Sequence, residues 1–186
     1  MDQELTTRRD GLRADVAPLE TPRWLATYKR LRSIRLVWTL LAIMMVSFSV
    51  APILNVVRRE RFNKDYDLWQ EVGRTLMAGG DVYPRTVGLF PFMYPPACAA
   101  MLAPLSPLSR GFFVGSLLLI NSASWIACIL CGVYLATGRL KGNPPELYFW
   151  PSMAIVPFIH DTYLLGQPAI LLLALLLGSF VLLRKG

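Results

Sequence analysis

Groups that titrate near neutral pH or hold metals are scarce in this sequence: 186 residues include one histidine, His160, and three cysteines, Cys98, Cys128 and Cys131. A structural or catalytic metal centre needs three or four clustered ligands, and His160 with the adjoining Asp161 offers two, so they are read as an interfacial polar pair. The sequence calls for no cofactor, and metal dependence is not written in it. All three cysteines lie in apolar runs. Cys128 and Cys131 form a C-x-x-C without the loop context of a redox or zinc motif, and they read as small buried side chains outside any disulfide framework.

Charge is sparse as well, at 17% of residues against 54% hydrophobic, with a mean hydropathy of +0.45. That balance lies on the membrane side of ordinary soluble domains. The charges are also unevenly spread: Leu36 to Val57, Gly111 to Gly138 and Thr162 to Leu183 contain none. A bilayer core about 30 Å thick takes about 20 apolar helical residues to cross, so each run reads as a spanning helix. The first is too long for a signal-peptide core and follows a long polar leader, which makes it an anchor rather than a cleaved segment.

The expected architecture is an all-α integral membrane protein with about four to five transmembrane helices. Residues 1–35 form a polar, basic cytoplasmic leader, mostly disordered, with one interfacial turn near Trp24 to Leu31. Residues 36–186 form the membrane domain, with spans at about 36–57, 111–138, 147–160 and 163–183. Between the first two lie a polar loop, 58–85, and a proline-rich segment, 86–109, which either crosses or dips in and returns. Its prolines predict irregular backbone followed by a short helix from about Ala97. Asn121, Ser122, Ser124 and the Gly111/Gly115 pair are read as interhelical packing and hydrogen bonding.

The net charge of +7 does not point to nucleic acid. Arg23, Lys29, Arg30, Arg32 and Arg35 gather just before the first apolar run, where they face anionic headgroups and favour a cytoplasmic N-terminus. The basic residues Arg58, Arg59, Arg61 and Lys64 on the other flank weaken that bias.

The polar loop has a pattern of its own. Trp69, Val72, Gly73 and Leu76 fall at i, i+3, i+4 and i+7, with Gln70, Glu71, Arg74 and Thr75 on the other side, which predicts an amphipathic helix on the membrane surface. Gly79 and Gly80 end it. Asp65 and Asp67 stand at its start, where capping and dipole effects alone favour carboxylates. A carboxylate at a membrane boundary among Arg58, Arg59, Arg61, Lys64 and Arg85 is also what an enzyme needs to deprotonate a hydroxyl beside a phosphate.

Three elements resemble glycosyltransferase family 87, of the GT-C class. "DYDLWQEVGRTLMAGGDVY" is similar to that family's first external loop: Asp65, Tyr66, Trp69, Leu76, Gly79 and Tyr83 match, with Met77 in place of a second leucine. "FMYPPACAAMLAPLSPL" resembles its Tyr-Pro-Pro segment, and "GQPAILLLALLLGSFVLLRKG" its Gly-Gln element opening a leucine-rich helix. The resemblance implies inverting transfer of a hexose, often mannose, from a polyprenyl-phosphate sugar to a lipid or glycan acceptor on the outer face. Asp65 would be the general base. Asp67 has no counterpart in the motif and keeps the helix-start role. Arg59 and Arg61 are read from their charge as stabilising the departing phosphate. Tyr66, Trp69 and Tyr94 either stack on a sugar or anchor the interface, and Gln167 either binds substrate or caps a helix. Enzymes of this class have more spanning helices than this chain supplies, so it is expected to be the N-terminal part of one. The competing expectations are a non-catalytic membrane scaffold or assembly subunit, and a degenerate remnant of such an enzyme.

Overall fold

The computed structural model describes residues 23–58, 64–83 and 92–185, and every regular element among them is helical. The first helix, α1, spans Arg23–Val57. It begins thirteen residues before Leu36, so the last part of the polar leader is helical. "RWLATYKRLRSIR" follows Pro22, contains no proline or glycine and is rich in Arg, Lys, Leu and Ala. It extends an existing helix without a new nucleation cost. The remainder of the expected leader, residues 1–22, lies outside the described residues.

Three elements build the loop side: α2 (Lys64–Met77), α3 (Pro96–Leu102) and a single 3-10 turn (Ala103–Leu105); α4 (Arg110–Thr137) follows and ends at Gly138 in the left-handed region. In place of one helix over 147–160, the chain forms α5 (Glu146–Ala154) and α6 (Val156–Leu165), broken at Ile155. Pro157 causes the break, because it lacks an N–H and its ring conflicts with the carbonyl of Met153. Thr162 and Tyr163 belong to α6 rather than to the last helix, α7 (Ala169–Lys185).

Among the described residues, two stretches have the length and composition to cross a bilayer: Arg32–Val57, with a mean hydropathy of 2.3, and Arg110–Thr137, with 1.9. Only 11% of the most apolar window of the first is buried, leaving Leu36, Ile43, Val46 and Val57 on its surface. So much exposed apolar surface requires lipid or a partner to cover it. The 17 residues of α7 extend about 25 Å.

α1 and α4 run antiparallel. Phe48 stacks on Trp125 at 6.4 Å, and near the other end a Cβ on Gly111 would lie 3.7 Å from Val56. The start of α4 is therefore level with the end of α1. α4 packs most extensively on α7 in a parallel sense. The Cys128 thiol donates to the Ile170 carbonyl, and further on Arg184 donates to the carbonyls of Tyr134 and Leu135 in the last turn of α4. Cys128 and Cys131 are both free thiols.

Candidate active site

α2 carries the two candidate carboxylates. Asp65 and Asp67 occupy its first turn, where the helix dipole favours negative charge. Its end is a Schellman motif: Gly79 has φ +72°, its N–H bonds the Leu76 carbonyl, and the Gly80 N–H bonds that of Thr75. Trp69, Val72 and Gly73 face inward. At Gly73 the 3-10 turn approaches so closely that a Cβ would lie 2.8 Å from that of Ser106.

The polar side of α2 is less exposed than its pattern predicts. Gln70 is buried, its amide donating to the carbonyls of Ser106 and Leu108 at 3.2 and 2.7 Å, and Arg74 Nε donates to Ser106 at 2.9 Å. These carbonyls lie between the 3-10 turn and α4 without helical partners, and α2 supplies the missing donors. Asp67 forms a two-pronged pair with Arg110 at the start of α4, at 2.8 and 2.7 Å. This tie gives the helix-start carboxylate a partner that its sequence neighbourhood does not reveal.

Tyr66, beside Asp65, is fully buried and reaches the turn between α6 and α7. Its hydroxyl donates to the Tyr163 carbonyl at 2.6 Å. Its ring covers Gly166, where a Cβ would come within 2.7–2.9 Å of three ring atoms. Gly166 has φ +80° and caps α6, a conformation that costs a glycine little. The Tyr163 and Ser122 hydroxyls are hydrogen-bonded to each other at 2.6 Å, and Asn121 donates to the Gln167 carbonyl. The Asp-Tyr and Gly-Gln elements, about a hundred residues apart, thus form one locus. Burial of Tyr66 raises the pKa of its hydroxyl well above the usual value, with Tyr163 adding to the effect.

On the other flank of Asp65, Tyr94 packs on Trp69 at 4.7 Å and Phe92 meets Trp69 edge-on at 5.2 Å. Tyr83 lies 5.5 Å from Phe92 and donates its hydroxyl to the Tyr94 carbonyl. Burial raises the Tyr94 pKa first, and the nearby Asp65 carboxylate and Cys98 raise it further. Tyr94 therefore stays a neutral hydroxyl beside Asp65. Of the three rings named from the sequence, Trp69 and Tyr66 are enclosed and Tyr94 is half-exposed. Trp69 Nε1 is buried with no hydrogen-bond partner among the described residues. Gln167 is half-buried at the elbow, and Arg59 and Arg61 lie outside the described residues. Among the described residues no three His, Cys, Asp or Glu side chains are grouped to hold a metal.

The roles of Arg110 and Tyr163 in this locus have no local sequence signal, whereas Gly166 opens the Gly-Gln element. Asn121 and Ser122 had one, as polar residues in an apolar helix. The model of glycosyltransferase family 87 matches residues 92–186, from Phe92 of the aromatic cluster through α7. The chain belongs to glycosyltransferase family 87. No curated protein and no solved structure matches it. The family segment begins after Tyr83, so α2 stands outside it. Contacts of Tyr66 with Tyr163, of Asp67 with Arg110 and of Trp69 with Phe92 and Tyr94 join α2 to the family segment.

Proposed function

We propose that this family 87 chain carries the acceptor-activating part of a membrane glycosyltransferase. It moves a hexose, mannose foremost, from a polyprenyl-phosphate sugar to a lipid or glycan acceptor on the extracytoplasmic face. The reading is supported by the packing of Tyr66 on Gly166, which ties the helical turn that also carries Asp65 to the Gly-Gln elbow. Asp65 takes the proton of the acceptor hydroxyl as that oxygen attacks the anomeric carbon, and the lipid phosphate departs with the bonding electrons. Tyr94 and Gln167 line the sugar's position, Arg59 and Arg61 meet the departing phosphate, and Tyr66 and Trp69 hold the site from beneath.

A multi-pass placement in the cell membrane with a cytoplasmic N-terminus accords with the antiparallel α1 and α4. That arrangement collects Lys29, Arg32 and Arg35 with Arg139, Lys141 and Arg184 at one end of the bundle.

The test is sugar transfer by the protein in its native membranes. Asp65→Asn is expected to lower the rate by about 10²–10⁴-fold, the usual worth of a general base, while Glu71→Gln, on the exposed side of the same helix, retains it. Equal activity in both variants removes the assignment of Asp65.

A further inference from the structure

A lateral groove of about 600 Å³ lies between α1 and α4, within the size range of small-ligand sites. It runs from Met45 to Leu54 on one helix and from Gly111 to Ser122 on the other. At 1.5 Å per residue those stretches are about 14–16 Å long, half of a bilayer core of about 30 Å. Its walls include the exposed side chains of Val46, Val50, Phe112 and Leu119. At Gly115 a Cβ would meet nothing within 4 Å. The hydroxyls of Ser49 and Ser122 turn back to the carbonyls of Met45 and Leu118, so the lining is effectively apolar.

A cation marks the end of the groove. Arg58 stands one helical turn beyond Leu54 and is exposed, whereas Arg110, next to Gly111, is engaged by Asp67. A further helix would need an apolar seam through the whole core; this one stops halfway, at Ser122. One leaflet's depth of hydrocarbon slot below a guanidinium matches a lipid tail below a phosphate.

We infer that the groove binds one anionic phospholipid of the bilayer, its tail between α1 and α4 and its phosphate at Arg58. This rests on the membrane placement proposed above and is independent of the transfer chemistry. At its deep end Ser122 meets Tyr163, whose carbonyl holds Tyr66, so the tail lies against the back of the candidate site.

The test is native mass spectrometry of the protein released by mild detergent from nanodiscs of phosphatidylcholine and phosphatidylglycerol in equal parts. The wild type is expected to retain a phosphatidylglycerol. Gly115→Leu, which fills the slot, is expected to lose the adduct while keeping or raising the melting temperature, since leucine is the better helix former. If Gly115→Leu melts lower, Leu119→Trp fills the slot from one turn further along the same helix and is expected to lose the adduct likewise. Arg58→Gln is expected to retain lipid without preference between the two headgroups. A wild type without an adduct, a folded filling variant that keeps it, or a second copy of the chain in its place overturns the inference. Extraction by alkaline carbonate would overturn the membrane placement and the lipid site together; a membrane-retained protein without lipid overturns the lipid site alone.

Discussion

The ring of Tyr66 occupies the space that a side chain at Gly166 would need. A Cβ there would approach the ring within 2.7 Å, on a backbone whose φ is +80°. Gly166→Ala therefore meets two penalties, the left-handed conformation and a clash with a buried ring, together about 2–4 kcal/mol. The expected outcome is a lower melting temperature and loss of sugar transfer, with activity declining further than stability because the Asp65 turn shifts.

Tyr66→Phe isolates the hydrogen bond from the packing. Removing the hydroxyl from the Tyr163 carbonyl is expected to cost about 1 kcal/mol at neutral pH. Its alkaline behaviour is the sharper test. Burial holds the Tyr66 pKa above its ordinary value of 10.0, so the folded protein keeps this proton longer than the unfolded chain does. The resulting stability is complete below about pH 10 and is lost as the pH rises from there toward the folded value. Melting curves should fall less steeply above pH 10 in Tyr66→Phe than in the wild type.

A double-mutant cycle on Asp67 and Arg110 reads the tie between α2 and α4. The side chains are 23% and 29% exposed and the pair is two-pronged, so a coupling of about 1 kcal/mol is expected from chemical denaturation. Zero coupling would mean that the pair does not fasten α2. Asp67→Asn is for this reason a poor control for Asp65→Asn, and Glu71→Gln serves instead.

Gly73→Ala tests the seat of α2. Its Cβ would lie 2.8 Å from that of Ser106. Although alanine favours helix by about 1 kcal/mol, the overlap is expected to outweigh this and lower the melting temperature. Pairing it with Ser106→Gly should restore stability.

Local patterns told much about α2, whose inward face was legible from Trp69, Val72 and Gly73 and whose end from Gly79. They also placed the irregular backbone before Ala97, because those features are decided within a turn or two of chain. The break at Ile155 was hidden because hydropathy treats Pro157 as part of one apolar run. Polarity assigns Gln70 to the outside, while the carbonyls that claim its amide belong to Ser106 and Leu108, more than thirty residues away. The Asp-Tyr and Gly-Gln elements were each legible, but their meeting was not, since no local signal encodes the contact of Tyr66 with Gly166.

Tyr83 and Phe92 stand 5.5 Å apart, ring to ring, and clasp the chain at both ends of residues 84–91. With the ends already pinned, lengthening the intervening strip adds little entropic penalty, about 0.6 kcal/mol for each doubling. A short epitope or protease sequence spliced between Val87 and Gly88 should leave folding intact. Its accessibility in sealed vesicles would then report which compartment the aromatic clasp faces.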